Sequence, residues 1–302
     1  MAESPAQSDD ELLDRFQCAA FGYFLEQFNP ENGLVADTSR AGAPASIAVV
    51  GFALSCYPVG VERGWMTRAD AVARTLVILR FFWDCSQDGQ ADATGYKGFY
   101  YHFLDMKTGK RVWQSEVSLI DTTLLLAGVL TASVYFSEDT PSENEIRERA
   151  DAIYRRVDWQ WARGGGTTVR QGWKPESGFL HYGWGGYDEA IILYVLGLAS
   201  PTHPLSESSY IKWTATYQWE NIYDYEFLYA GPLFIHHFSQ AWIDFAGIRD
   251  RFMCEKRATI SKTAGAPRMC SANTHGVIRS GLKAMARIAG ALRQTTGPVS
   301  RH

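Results

Sequence analysis

Four stretches of this chain, Ser46 to Val61, Val117 to Phe136, Tyr187 to Ala199 and Leu233 to Phe245, are helix-length runs that stay apolar almost all the way round. A helix without a polar face has to be covered on every side. Between these runs lie helices of a different kind, striped on one face and opened by start signals. Ser8 followed by Glu11 is a capping box that predicts a helix from Asp9 to about Phe28, with Leu13, Phe16, Ala20 and Phe24 along one stripe. Thr67 caps a second, in which Ala71, Val72, Thr75, Leu76, Leu79 and Phe82 recur at helical spacing. Thr140-Pro141-Ser142-Glu143 joins a capping box to a proline at the first helical position, and predicts a helix to about Trp161 that Gly164, Gly165 and Gly166 end. Buried and half-exposed helices thus alternate. The alternation predicts an all-α toroid of helical hairpins, whose inner ring is apolar on both sides and whose outer ring shows one face to water. A bundle or solenoid uses the same helices, but no internal repeat of fixed period accompanies them.

In such a toroid the connections from outer to inner helices surround the mouth of a central cavity. Ser86 to Glu116 and Arg163 to Gly186 are the long connections, rich in Gly, Tyr, Trp and His, with a hairpin expected at Met106 to Lys110. Loops of this length are uncommon unless functional or disordered, and aromatic content of this kind argues against disorder.

The remaining composition narrows the function. A formal net charge of -4 and a pI near 6.0 give no reason to expect nucleic acid or an anionic membrane as partner. The five cysteines, Cys18, Cys56, Cys85, Cys254 and Cys270, form no C-x-x-C pair, so neither a disulfide framework nor a metal site is indicated, and no cofactor motif occurs. His236 and His237 are adjacent, about 100° apart on a helix, and make a poor metal pair. Met1 to Asp10 is polar and acidic, and no run reaches the roughly 18 apolar residues of a membrane helix. A cytoplasmic location is the expectation for the chain as given, and a periplasmic one if a leader was lost from its start.

Two carboxylates stand out by their neighbours. Asp121 is the one charged residue between Val117 and Phe136, and Glu189, with Asp188 beside it, opens the apolar run from Ala190 to Ala199. Each falls near the start of an inner helix, so both are expected at the same mouth of the toroid. Burial raises a carboxyl pKa and a helix N-terminus lowers it, so a protonated acid and an ionised base can share one cleft. Either acid alone also fits a helix cap or half of a buried polar pair. Together, with aromatic loops around them, they favour a glycosidase, which needs two carboxyl groups and stacks sugars on aromatic rings.

Several ordered segments then become recognisable. The stretches from Ile47 to Leu54, Gly98 to Asp105, Glu116 to Gly128, Gly185 to Ala190, Ser200 to Pro204 and Gly231 to His237 resemble the bacterial glucoamylase-like family, and the resemblance runs from Leu12 to Met253. It implies an (α/α)6 toroid and a glycoside hydrolase related to endo-acting β-1,2-glucanases and to the hydrolase domain of cyclic β-1,2-glucan synthases. The family's acids match here at Asp121 and Glu189, with Glu189 similar in position to its general acid. Two further acids that some relatives carry stand here as Gln114 and Ser118, with Glu116 between them. Glu189 and Asp121 are therefore the expected catalytic pair. Glu116, Tyr101, His102, Trp173, His181, Trp184, Tyr187, Asp188, Trp219 and His236 are the expected sugar contacts, and an oligo- or polysaccharide the expected partner.

The final segment departs from this pattern. All 10 Trp, 15 Tyr and 16 Phe precede Cys254, and Glu255 to His302 contains none. Reading permitted synonymous codons for Ala258 to Arg268 one base out of register gives DYFENSRRAT, and continuing through Met269 to Pro298 allows HVQREYAWG and CWGLTANDGP, all similar to the family's continuation. Residues 1–253 are accordingly expected to be the N-terminal part of the toroid, with about eight helices where six hairpins need twelve, and residues 254–302 an out-of-frame, poorly ordered tail. A genuine basic extension also fits the near absence of acids beyond Glu255. The chain as written is expected to be inactive; the competing readings are a fragment that binds oligosaccharide without cleaving it, and a polysaccharide lyase on a helical toroid, which favours Tyr with Arg or Lys at its cleft.

Overall fold

A computed structural model describes residues 8–222, 225–245 and 248–256. The proposed out-of-frame segment lies outside the described residues apart from its first three positions. The helices follow the start signals. The Ser8 capping box is complete, with Ser8 and Glu11 exchanging side-chain and backbone hydrogen bonds, and it opens α1, Asp9–Glu26. Helix α2 spans Ile47–Glu62, α3 Arg68–Asp84 under the Thr67 cap, and α4 Leu119–Tyr135 under Ser118. Helix α5 is Pro141–Arg156, α6 Ile191–Ala199 and α7 Glu207–Thr214, followed by α8 at Leu233–His237 and α9 at Arg251–Lys256.

The predicted division into two kinds of helix holds for α2, α4 and α6, whereas the fourth apolar run opens with Leu233 and Phe234 exposed. In α4 twelve residues from Leu119 to Ala132 are buried, and α2 is covered from Ile47 to Gly60. These two pack along their lengths and α6 packs on α4, while α3 and α5 lie against each other outside them. That is hairpin packing compatible with a toroid. Five features of the helices differ from the sequence reading. The first three turns of α1 are open, with Leu13 43% and Phe16 64% exposed, so its stripe is covered only from Phe21 onward. Glu143 does not close a capping box on α5: it is buried, takes a two-pronged hydrogen bond from Arg68 at 2.8 and 2.9 Å, and accepts from the Glu138 backbone. Helix α5 stops at Arg156 because Val157 is extended, and Trp161–Arg163 is a separate 3-10 turn ended by Gly164 at φ 55°. Helix α6 starts four residues later than Tyr187, since Asp188 turns the chain by accepting the Ala190 N–H. The run from Leu233 to Phe245 is helical only to His237 and then tightens into a 3-10 turn, as Phe238 and Trp242 turn onto Phe52 of α2.

The two long connections contain sheet. Strands β1 (Ala45–Ser46) and β4 (Phe103–Leu104) pair with each other. Strands β2 (Gly95–Tyr96), β3 (Phe99–Tyr101), β5 (Val117–Ser118), β6 (Gly172–Lys174) and β7 (Gly178–Phe179) form one antiparallel sheet in the order β2-β3-β5-β6-β7. The expected turn follows β4, where Lys110 and Asp105 are hydrogen-bonded across it. A further hairpin joins β8 (Trp219–Ile222) to β9 (Tyr225–Leu228). The five-stranded sheet sits at the start of α4 and ties the two long connections together.

Candidate active site

The site is assembled where that sheet runs into the inner helices. Tyr101 pairs with Val117 across β3 and β5, which places His102, the next residue, beside Glu116; the His102 N–H donates to the Glu116 carbonyl at 2.9 Å. Three residues past β5, Asp121 lies in the first turn of α4, where its N–H donates to Ser118 Oγ and the Ser118 hydroxyl donates back to its carboxylate. Glu189 stands just ahead of α6. Its carbonyl accepts from Ser239, and its neighbour Asp188 accepts from the Ala190 N–H at 2.9 Å and the Trp213 indole at 3.1 Å.

The side chains converge. His102 Nδ1 is 3.0 Å from Glu116 Oε1 and its Nε2 is 3.5 Å from Asp121 Oδ2, with the Asp121 side chain 15% exposed. Glu189 is half-buried and close enough to Asp121, Asp188 and His102 to feel their charges. Burial pushes its carboxyl up to about 7, helped by Asp121 and Asp188 and opposed by His102. Burial also pushes Asp188 up to about 6, against the hydrogen bonds it accepts. Asp121 is raised by burial too, while His102 and the Ser118 hydroxyl oppose the rise. Glu116 is lowered by its hydrogen bond with His102. For His102 burial is the largest influence and works downward, yet the Glu116 hydrogen bond and the charges of Asp121, Glu116 and Asp37 together hold it above the ordinary histidine value. The arrangement therefore offers one carboxyl group, Glu189, whose proton is held toward neutrality, near another, Glu116, whose ionised form the His102 hydrogen bond favours. Among the described residues no three His, Cys, Asp or Glu are arranged to hold a metal ion.

The expected sugar contacts divide. Trp173 is half-buried on β6 and stacks on Tyr96 at 4.8 Å, and Trp184 is half-buried in the connection leading to Glu189. Tyr187 lies 5.3 Å from the His236 ring, both mostly covered, with His236 Nε2 against the Ala230 carbonyl. Trp219, half-buried, lies near Phe252. His181 is exposed beside Tyr182. Tyr101 is a correction: its ring is fully covered, Arg111 lies 4.6 Å from the ring centre, and its hydroxyl donates to the Gln90 carbonyl, so it is core and offers no face to a sugar. Sequence reasoning missed Trp213 and Asp37. Trp213 sits on the short helix α7, and Asp37 is a half-buried loop residue between the buried stretch Asn32 to Ala36 and the exposed residues that follow; neither position carries a local signal.

Comparison with known proteins matches this organisation. Residues 181–273 match the family model described as "Putative glucoamylase". Over 230 residues the chain is 28% identical to an exo β-1,2-glucooligosaccharide sophorohydrolase (non-reducing end) of Parabacteroides distasonis, a match that takes in 72% of this chain and 30% of that protein's length. A crystal structure from Bacteroides uniformis, described as a "putative glucoamylase", superposes with a TM-score of 0.76 at 29% identity, covering 98% of this chain and 69% of the other. The endo-β-1,2-glucanase of Chitinophaga pinensis, in complex with sophorotriose and glucose, shares the fold with a TM-score of 0.71 at 24% identity over 82% of this chain and 63% of the other. The resemblance to the glucoamylase-like family stands, and so does the toroid reading, with the addition of the sheet at the mouth. Among the described residues no helix is long and apolar enough to cross a membrane.

Proposed function

We propose that this chain carries the site of a glycoside hydrolase acting on a β-glucan, most specifically a β-1,2-linked one, with Glu189 as general acid and Asp121 as a second acid at or beside the cleaved bond. The observation that carries the reading is the convergence of acids in one cleft, Glu116 and Asp121 about His102 with Glu189 close enough to feel the charges of Asp121 and His102; burial pushes the Glu189 carboxyl up to about 7, which suits it to give a proton to a leaving sugar oxygen at neutral pH. The linkage is suggested by the activity in the name of the Parabacteroides relative. Trp173, Trp184, Tyr187, Trp219 and His181 supply the sugar-contacting wall, with Glu116, His102, Asp188 and His236 lining or bracing it. A lyase, which uses Tyr with Arg or Lys, is disfavoured by a cleft built from Glu116, Asp121, Asp188 and Glu189 around one histidine. Residues 254–302 are, in the same reading, out of frame, so hydrolysis is expected of a frame-restored form, while the chain as written binds oligosaccharide at most. Glu189→Gln in the frame-restored protein should lower turnover of β-1,2-glucooligosaccharide by roughly 10²–10⁴-fold with binding nearly intact. Undiminished turnover in that variant removes Glu189 from the role.

A further inference from the structure

We propose that His102 is a fixed imidazolium that decides which of the two cleft acids carries the proton, holding Asp121 as a carboxylate and leaving the proton on Glu189. The first argument is stoichiometric. A neutral imidazole has one N–H and one lone pair, yet both ring nitrogens of His102 face carboxylate oxygens, Nδ1 at 3.0 Å from Glu116 and Nε2 at 3.5 Å from Asp121. With both acids ionised, either neutral tautomer sets a lone pair against a carboxylate while the doubly protonated ring opposes neither; a neutral ring instead needs the proton on Asp121 itself, donated to Nε2, an arrangement that titration of the ring separates from this one. The second argument is that the His102 backbone is fixed on both sides and the ring is stacked on its neighbour in the orientation that faces both acids. Its backbone is tied through its N–H to Glu116 and through its carbonyl to the Ile47 N–H, and its face lies on Phe103 with ring centres 3.9 Å apart and planes within 14°.

The third argument is asymmetry. The charges that reach His102 are those of Glu116, Asp121 and Asp37, with Glu189 more weakly coupled and Lys174 acting on Glu116 from β6. The cation is in ion-pair range of Asp121, and its influence on Glu189 is the smallest of those acting there. Two carboxyls near one another do not ionise together readily, so the one nearer the cation loses its proton first. His102 is thus a positioning residue rather than a sugar contact. Its catalytic consequence rests on the hydrolase reading; its protonation does not.

The test uses the full 302-residue chain and needs no turnover. With 15N in its seven histidines, the His102 ring is assigned by its contact with Phe103 and by loss of its signal in His102→Gln. Both ring nitrogens are expected to be protonated at pH 7, with a midpoint above the roughly 6.5 of an ordinary histidine. Glu116→Gln should lower that midpoint, and Asp121→Asn should lower it too. With 13C at the carboxyl groups, His102→Gln should raise the Asp121 midpoint, since it removes the charge that opposes the effect of burial there. A neutral ring at pH 7, a His102 midpoint unmoved by both acid variants, or an Asp121 midpoint unmoved in His102→Gln overturns the proposal; if His102→Gln fails to fold, the two acid variants decide it on His102 itself. In a frame-restored form His102→Gln should cost roughly 10²-fold in kcat with little change in KM, the mark of a misplaced reacting group. If the frame-restored parent cleaves no β-1,2-glucan while His102 titrates as described, the hydrolase reading fails and the imidazolium stands.

Discussion

A carboxyl group that titrates near 7 in the folded chain and near 4.3 in the unfolded one binds its proton more tightly when folded. Linkage then fixes the sign: the folded state is favoured below the unfolded value, and that advantage is lost as pH rises through the folded value. Glu189 therefore weakens the fold progressively between about pH 4.3 and 7, and Asp188, raised to about 6, does so over a lower window. Glutamine has no proton to lose. Melting of Glu189→Gln against the parent, followed from pH 5 to pH 8, should show a difference in favour of the variant that widens with pH and levels off above about pH 7. A difference independent of pH places Glu189 in a more solvated setting than its half-buried position allows. Glu116 acts in the opposite sense: lowered by His102, it supports the fold above its unfolded value and loses that effect on acidification.

At the scale of elements, the site depends on how closely α2 and α4 approach, because α4 carries Asp121 and α2 follows directly on β1. Two facing glycines set that distance. A Cβ added at Gly51 would lie 2.7 Å from the Leu125 Cα, and one at Gly128 would lie 2.8 Å from the Gly51 Cα, with backbone rather than movable side chain in the way. Overpacking of this kind typically costs about 1–3 kcal/mol. Gly128→Ala should destabilise by that amount in denaturant unfolding. Gly22→Ala, on half-open α1 with only a Glu26 oxygen 4.0 Å away, should stabilise by roughly 0.5–1 kcal/mol, as alanine does in an unobstructed helix. If both substitutions change stability in the same direction, contact between the inner helices is not what the glycines serve. These elements also show what sequence can convey. Caps at Ser8, Thr67 and Thr140 are local chemistry, and three of the four apolar runs reveal buried helices, so these helices were legible, while the Ser118 cap that opens α4 was not read. The sheet was not, because its strands are two or three residues long and carry no usable alternation. Without its register nothing connects His102 to Glu116, or shows that Tyr101 points into the core.

The whole molecule raises the question of what covers the ends of the hairpin series. At one end, Leu12, Leu13 and Phe16 on α1 are 41%, 43% and 64% exposed; toward the other, Leu233, Phe234 and Ile248 are 66%, 42% and 53% exposed. Each large apolar side chain left in water forgoes roughly 1.5–3 kcal/mol of burial. A few such losses approach the 5–15 kcal/mol that holds a typical domain together. The segment from Glu255 to His302 is poorly equipped to offset them, since it offers scattered Ala, Ile, Leu and Met but no aromatic residue, whereas a frame shifted by one base permits, with a suitable choice of synonymous codons, strings that contain aromatic residues. If that frame is the selected one, its product should match those surfaces and the present tail should not. Met1–His302 and a frame-restored form, expressed side by side, should then differ in three ways: the restored form should give more soluble protein, melt cooperatively at a higher temperature, and hydrolyse β-1,2-glucan where the other does not. Equal melting and equal activity would instead make residues 254–302 a genuine part of the protein, and the exposed apolar side chains a surface that it tolerates.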